Sequence, residues 1–282
     1  MSNELVVALG ERSFSVERPW GVLPEGLKLE TVSAVAVDSQ DRVYVLQRTH
    51  PPIVVFEPSG AYAGSWGAGQ IIDGHGIFIG PGDIVWIADR DAHQILAFDT
   101  KGSLVQTVGE RHRPHFQRPF NHVTDIAVAP NGDLYACDGY GNSTVHHFAP
   151  DGTPKRTWGR PGTGPGEFTT PHAIWGDDRE RVLVADREND RVQVFDLDGE
   201  YLEEWDDFYH PMDIFVDADG MIYVTDQIPR ISQLASDGTL VGRCRPALYL
   251  PHGVYGDSRG NLYLAEATPS DRVTKLAPLD AA

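Results

Sequence analysis

The sequence predicts an all-β protein, a six-bladed β-propeller of four-stranded antiparallel blades whose ring is closed by an N-terminal strand. Two observations lead to this prediction. A short apolar strand that usually ends on an acidic residue occurs six times, at intervals of 40 to 49 residues. Alternating apolar segments and Gly, Asn or Asp turns surround each copy, whereas no segment has the apolar periodicity of a helix.

The six copies align on the central residue of the repeated strand. These anchor residues are Tyr44, Trp86, Tyr135, Leu183, Tyr223 and Tyr263. An apolar strand and a turn come before each anchor, and a third strand, a glycine turn and a fourth strand follow most of them. A single sheet of this kind cannot bury both of its faces, so we expect the six sheets to stack around a central channel.

The sixth copy stops at "RVTKLAP", one strand short of the others. The N-terminal segment "SFSVERPWG" resembles the fourth-strand endings "GSWG" and "RTWG". We therefore expect this segment to supply the missing outer strand of the sixth blade. The whole chain, residues 1–282, would then form a single propeller domain without a linker.

Charge and composition limit the classes of partner. The formal net charge is −18, with 41 acidic and 23 basic residues, and such a surface repels phosphate backbones and anionic membranes. The N-terminus "MSNELVVALGERSFSV" lacks the features of a signal peptide, and no apolar run is long enough to span a membrane. Cys137 and Cys244 match no metal or redox spacing, so we expect two buried free thiols. These features predict a cytoplasmic protein with a small-molecule substrate, whose oligomeric state stays open.

One column of the repeat carries histidine in alternate blades. Eleven positions before the anchors stand Ser33, His75, Thr124, His172, Met212 and His252. This column opens the innermost strands, and alternate blades of a six-fold ring lie a third of a turn apart, so three imidazoles can meet at one axial point. Three neutral histidines and an open position are the ligand set of catalytic zinc, and iron, copper or nickel also accept it. The alternative is that these residues only cap strands or fill the channel.

Loops that follow the second strands lie at the same mouth of the channel, because the second strand runs antiparallel to the first. These loops carry Arg48, Arg90, Arg187 and, within "DGYGNS", Tyr140. Each arginine could bind a substrate carboxylate in bidentate fashion; a surface ion pair is the alternative, above all for Arg90. Nearby positive charges would favour the phenolate of Tyr140, which could act as a general base. The acidic residues that end the second strands are expected to bind neighbouring backbone amides.

Five of the eight histidines outside this column lie in two groups. His112, His115 and His122 lie in the long segment that enters blade 3, where they could form a lid, a pocket wall or a second metal site. His146 and His147 lie on a third strand, and we expect them to pack or to face solvent.

The segments "WGRPGTGPGEFTTPHAI", "VADRENDRVQVFD" and "DGYGNS" resemble the peptidyl-α-hydroxyglycine α-amidating lyase family, a branch of the NHL-repeat propellers. The similarity runs from roughly Val32 to Leu276. It implies an NHL-like six-bladed propeller with zinc on His75, His172 and His252, Tyr140 as base, and Arg48 and Arg187 on the substrate carboxylate. Family enzymes cleave the C–N bond of a C-terminal α-hydroxyglycine to give an amide and glyoxylate.

The resemblance also implies a structural calcium, held by an aspartate directly after the third histidine. This chain has Gly253 there, whereas Asp125 and Asp213 occupy the equivalent step in other blades and could substitute. The sequence thus predicts a metal-dependent lyase for a small α-hydroxy amide or a related carboxylate-bearing substrate. Two alternatives stay open: a metal-dependent hydrolase, lactonase or hydratase, and a non-catalytic NHL interaction scaffold.

Overall fold

The computed structural model describes residues 5–247 and 249–279. Positions 1–4, 248 and 280–282 of the predicted domain lie outside these ranges. The described residues form 25 strands in six antiparallel sheets, together with two 3₁₀ turns, Pro81–Asp83 and Arg187–Asn189. No helix among them is long and apolar enough to span a membrane. The predicted six-bladed propeller is confirmed.

Within each blade the strands follow one another from the channel outward. The first two strands of the chain belong to the last blade and are β1 (Val6–Leu9) and β2 (Arg12–Trp20). Blades 1 to 3 consist of β3 (Val32–Val37), β4 (Val43–Gln47), β5 (Ile53–Phe56), β6 (Tyr62–Trp66), β7 (Gly74–Gly80), β8 (Ile84–Asp89), β9 (Gln94–Phe98), β10 (Leu104–Gly109), β11 (Asp125–Val128), β12 (Leu134–Asp138), β13 (Thr144–Phe148) and β14 (Pro154–Trp158).

The remaining three blades continue in the same order. They consist of β15 (Pro171–Asp177), β16 (Arg181–Asp186), β17 (Arg191–Asp196), β18 (Tyr201–Trp205), β19 (Pro211–Val216), β20 (Ile222–Asp226), β21 (Arg230–Leu234), β22 (Leu240–Cys244), β23 (Pro251–Gly256), β24 (Leu262–Glu266) and β25 (Arg272–Pro278).

The N-terminal segment closes the ring, as predicted. Strand β2 pairs antiparallel with β25, with Phe14 opposite Pro278 and Trp20 opposite Val273. The ring of Trp20 then lies 4.8 Å from that of Tyr263 in blade 6 and 5.6 Å from that of Phe56 in blade 1, so it joins the two ends of the chain. Strand β1 was not predicted; it forms a hairpin with β2 and gives blade 6 a fifth strand.

Three of the anchor tyrosines are hydrogen-bonded to the turn between the first two strands of their blades. Tyr44, Tyr223 and Tyr263 are buried between blades, and each donates its hydroxyl at 3.0 Å to an aspartate in the turn between the first two strands. These acceptors are Asp38, Asp217 and Asp257. The same aspartates accept backbone amides of their own turns. Each buried phenol is therefore satisfied, and each turn is tied to the core.

Aromatic rings fill the channel beyond the histidine column. Phe78, Trp175, Phe215 and Tyr255 lie three positions further along their innermost strands, and their rings pack at 4.9 to 5.6 Å. The histidines thus stand above a packed apolar floor and face the opposite mouth of the channel.

Candidate active site

The histidines of the column occupy β-bulges. The pairing of the first and second strands skips His75 in blade 2, His172 in blade 4 and His252 in blade 6, and it also skips Ser33 and Met212. A bulge leaves one residue unpaired and redirects its side chain. The backbone irregularity therefore belongs to the repeat, and the sequence decides only which blades carry an imidazole there.

A second repeated contact fixes the backbone just before each bulge. The residue three positions before the column donates its N–H to the side chain that ends the second strand. The pairs are Glu30 with Gln47, Ile72 with Asp89, Asn121 with Asp138, Thr169 with Asp186, Tyr209 with Asp226 and Tyr249 with Glu266. The expectation that these acidic side chains bind backbone amides is confirmed.

The structure brings His75, His172 and His252 together on the channel axis. All three side chains are buried, and their ligand nitrogens lie within 4.8 Å of one another. Zinc–nitrogen bonds of about 2.0–2.1 Å at tetrahedral angles separate two ligand nitrogens by about 3.4 Å, so three nitrogens within 4.8 Å leave room for one ion.

Backbone carbonyls of the intervening blades select the tautomer of the histidines. The Nδ1 atom of His75 lies 2.7 Å from the Thr124 carbonyl, and that of His172 lies 2.6 Å from the Met212 carbonyl. A carbonyl only accepts, so these Nδ1 atoms carry the proton and Nε2 keeps its lone pair. For His252, no partner among the described residues meets Nδ1 with full hydrogen-bond geometry, although the backbone of Ser33 is near enough to raise the pKa of the ring.

Burial keeps the triad neutral. Burial, and then the charge of a neighbouring imidazole, lower the pKa of His75 and of His172 well below the ordinary value. Burial, and then the charge of Arg48, lower the pKa of His252 to about 3. Neutral imidazoles are the form that binds a metal ion.

Tyr140 reaches into the triad from blade 3. Its hydroxyl oxygen lies 3.0 Å from Nε2 of His75 and 3.2 Å from Nε2 of His172. A single O–H can donate to only one of these nitrogens, so the other lone pair faces an oxygen without a proton between them. A cation at this point would satisfy both. The donor set therefore fits a divalent transition metal.

The glycines on either side of Tyr140 lie in close contact with neighbouring residues. A side chain on Gly139 would overlap the carbonyl oxygen of Pro171, and one on Gly141 would overlap the side chain of Asn121. The preceding Asp138 is buried and binds the Asn121 amide at 2.9 Å. The two glycines beside Tyr140 are thus required by close approach.

Arg187 and Arg90 flank the Tyr140 ring. Their guanidinium carbons lie 5.3 Å and 5.7 Å from the ring centroid. Arg187 donates from Nη1 to the Tyr140 hydroxyl at 3.2 Å and from Nε to Glu188 at 2.8 Å. Arg90 binds Asp73 and Asp91, so the ion pairing expected for this residue is confirmed.

Arg48 differs from the other two arginines. Its Nε lies 3.4 Å from Oδ1 of Asp73, and neither atom has a hydrogen bond of good geometry among the described residues. Within the same described ranges, no hydrogen bond is found from the two terminal nitrogens of Arg48, whereas Arg187 donates to Tyr140 and to Glu188. Arg48 is therefore the guanidinium best placed to receive a carboxylate from solution.

Asp73 was not predicted as a site residue. It bridges Arg48 and Arg90, and burial raises the pKa of its carboxyl while the two arginines lower it. Its signal was present in the sequence, because it is the only acidic residue at the position two before the histidine column. These residues are Thr31, Asp73, His122, Thr170, His210 and Leu250.

The carboxyl groups considered for calcium, those of Asp125 and Asp213, come one residue after the histidine column and line the same axial cavity as the triad. Asp125 accepts the Ile174 amide at 3.0 Å, and Asp213 accepts two amides at 2.8 Å. Burial, and then the charge of Asp213, raise the pKa of Asp125 well above its ordinary value, and burial raises that of Asp213 to about 7. Backbone amides bind three of these four oxygens, and Gly253 offers no side chain, so a structural calcium at this point stays a prediction.

The other histidines form no second metal site in the described ranges, where the triad is the one group of three possible ligands. The ring of His122 stacks edge-on at 4.5 Å against that of His93, whose Nδ1 accepts the His122 amide. His146 and His147 do not face solvent: both are buried, bound to Asp138 and to Asp133. Cys137 is buried, whereas the second free thiol, Cys244, is only half-buried.

Comparisons with known proteins agree with this architecture. A family model described as a 6-bladed beta-propeller matches residues 118–236. NHL repeat-containing protein 3 from Homo sapiens is 31% identical over 280 residues, which cover 89% of this chain and 80% of that protein. A probable peptidyl-alpha-hydroxyglycine alpha-amidating lyase from Caenorhabditis elegans is 36% identical over 139 residues, 46% of this chain and 39% of the relative. The structure of a gluconolactonase from Xanthomonas campestris superposes with a TM-score of 0.71 at 12% identity, over 94% of this chain and 90% of that one. The resemblance to amidating lyases is confirmed, and the likeness to the gluconolactonase concerns the fold.

Proposed function

The chain belongs to the family of NHL repeat-containing proteins, and we propose that it is a metal-dependent lyase that acts on a small α-hydroxy amide or a related carboxylate-bearing substrate. One observation carries the proposal. The Tyr140 hydroxyl lies within hydrogen-bond distance of two histidine nitrogens and of Arg187. A phenol in that position serves proton transfer, and a scaffold that binds proteins has no need of it. The amidating lyases among the relatives support the same reaction class.

His75, His172 and His252 would hold the metal, zinc or another divalent transition metal, through Nε2. When bound, such an ion supplies Lewis acidity that polarises a hydroxyl or carbonyl oxygen. The net charge of −18 supports a small-molecule substrate rather than nucleic acid or a membrane surface. Calcium plays no part in the proposal.

Substrate binding and proton transfer are carried out by side chains of the protein. Arg48 binds the substrate carboxylate, and Arg187 stabilises the phenolate of Tyr140 through their hydrogen bond. Tyr140 removes the proton of the substrate hydroxyl. The C–N bond then breaks, its electron pair goes to nitrogen, and the hydroxyl-bearing carbon becomes an aldehyde. Tyr140 returns the proton to that nitrogen, which gives the amide and leaves the phenolate ready for another cycle.

The test is Tyr140→Phe, with N-benzoyl-α-hydroxyglycine as probe and glyoxylate release as readout. Loss of a general base costs about 10²–10⁴-fold in kcat, and we expect a fall in that range with unchanged metal content. Tyr62→Phe, which removes a hydroxyl bound only to Ser65 on an outer strand, is the matched control. Nearly full activity of the Tyr140 variant would contradict the proton-transfer role.

A metal-dependent hydrolase, lactonase or hydratase is the second candidate. Three neutral histidines on one axis favour it, since a metal ion held by them would be sufficient to activate a water molecule without help from Tyr140. Hydrolysis of a lactone or an ester that persists in Tyr140→Phe would select this candidate. A protein purified without stoichiometric transition metal, as measured by elemental analysis, would instead support the non-catalytic scaffold.

A further inference from the structure

The mouth above the histidines has two parts of different character, one formed by blades 1 to 4 and the other by blades 5 and 6. In blades 1 to 4, the loops after the second strands carry Arg48, Arg90, Tyr140 and Arg187. At the equivalent positions, blades 5 and 6 carry the uncharged Gln227 and Ala267. The ionic groups of the proposed reaction therefore occupy one side of the ring only.

Two tyrosines stand on the uncharged side. Tyr209 and Tyr249 lie three positions before the histidine column in blades 5 and 6, and 47% and 53% of their surfaces are exposed. Their backbone amides are held at 3.3 Å by Asp226 and Glu266. The backbone amide of each tyrosine is thus bound at the end of a second strand, and about half of its side chain is exposed. Large apolar side chains left open beside a site mark a contact surface for ligands.

On this side, an apolar side chain stands at the level of the histidine triad. Met212, which is buried, occupies the histidine column in blade 5, and its sulfur accepts a contact from Nε2 of Gln227 at 3.7 Å. The ring of His210 lies 4.4 Å from that of Tyr209, and its Nδ1 lies 3.1 Å both from the Arg187 carbonyl and from a carboxylate oxygen of Asp190.

We propose that Tyr209 and Tyr249 form a specificity subsite for an apolar body, preferably an aromatic acyl group, joined to the carboxylate head of the substrate. The inference rests on the proposed function for the position of that head over Arg48. Charge complementarity places the carboxylate on the side of blades 1 to 4, and the uncharged side is then left for the rest of the molecule. Flat rings packed against tyrosine faces gain both buried area and ring–ring contact.

Binding of unreactive analogues tests the subsite without requiring turnover. The probes are N-benzoylglycine and N-acetylglycine, which share the carboxylate and the amide and differ in the acyl group. Dissociation constants are measured by calorimetry on the metal-loaded protein. We expect the benzoyl compound to bind the unaltered protein about 10-fold more tightly, since one added ring buries a modest apolar area. In Tyr209→Ala/Tyr249→Ala the two compounds should bind within about 2-fold of each other.

Ile72→Ala is the matched control. Ile72 occupies the same position in blade 2, is 38% exposed and donates its amide to Asp89, but it lies on the charged side. This variant should keep the benzoyl preference. A series of N-acylglycines of rising apolar area, measured on the unaltered protein alone, gives a second readout that does not depend on folding of any variant.

Equal binding of the two probes to the unaltered protein would overturn the proposal, as would a preference that survives the double substitution or disappears in Ile72→Ala. A benzoyl preference that depends on the tyrosines, in a protein that releases no glyoxylate from the hydroxylated probe, would uphold the subsite and refute the lyase. Glyoxylate release together with equal binding of the two probes would uphold the lyase and refute the subsite.

Discussion

The neutral triad predicts how the metal-free protein responds to acid. In the unfolded chain each histidine titrates near 6.5, whereas in the folded chain burial lowers the pKa of His252 to about 3. Between these values the unfolded state holds more protons. The stability that His252 contributes is therefore complete above pH 6.5 and is lost as the pH falls towards 3.

The magnitude follows from the width of that window. Each pH unit within it is worth about 1.4 kcal/mol for one histidine. Between pH 6.5 and pH 5.0, the free energy of unfolding should thus fall by about 2 kcal/mol more in the unaltered protein than in His252→Gln. Asp125 and Asp213 contribute with the opposite sign, because their folded pKa values are raised and their stabilisation is lost as the pH rises. Both proteins contain this pair, so it cancels in the difference.

Urea unfolding in the presence of a chelator, at half-unit steps of pH, measures this difference. His50→Gln removes an exposed imidazole and should leave the profile of the unaltered protein unchanged. Parallel profiles for the unaltered protein and His252→Gln would refute the claim that His252 is buried in its neutral form.

Three further substitutions test the mouth. Arg48→Ala should raise KM about 10-fold or more with kcat largely kept, because we propose that Arg48 binds the substrate carboxylate; steady-state kinetics with unchanged KM would contradict this. Arg187→Lys should lower kcat at least 10-fold with little effect on KM, because the lysine ammonium lacks the separate Nη1 and Nε donors by which Arg187 contacts Tyr140 and Glu188. A rise in KM by the same factor as the fall in kcat would count against it. Gly139→Ala should cost about 1–3 kcal/mol of stability by urea unfolding, since its methyl group overlaps the Pro171 carbonyl. Gly64→Ala is the matched control, because Gly64 also lacks a positive φ but has open space around it.

The ring and the triad could be predicted because a repeat turns sequence position into spatial position. His75, His172 and His252 share one column, and a column of a closed ring lies at one height on its axis. Strand β1 was missed because it precedes the repeats and has no counterpart in them. The exposure of His146 and His147 could not be judged from alternation, because a blade is covered by neighbours on both faces.

Contacts between blades were beyond prediction for a different reason. Asp73 acts by bridging Arg48 of blade 1 and Arg90 of blade 2, and no spacing in the sequence records that distance. The tautomer of the histidines likewise depends on carbonyls that belong to other blades. Sequence columns show which side chains share a level of the ring, whereas the direction of each hydrogen bond needs coordinates.

The alternation of the column has a physical cause that its composition alone does not show. Blades 2 and 4 each supply an imidazole, and the following odd-numbered blade supplies the carbonyl that binds its Nδ1. Every residue offers a backbone carbonyl, whatever its side chain. The odd-numbered blades can therefore carry Ser33, Thr124 and Met212, three residues of unrelated chemistry, at the level where the even-numbered blades all carry histidine. The side chain of Met212 can then lie as an apolar residue beside the triad, so one column could serve both the proposed metal and the proposed substrate.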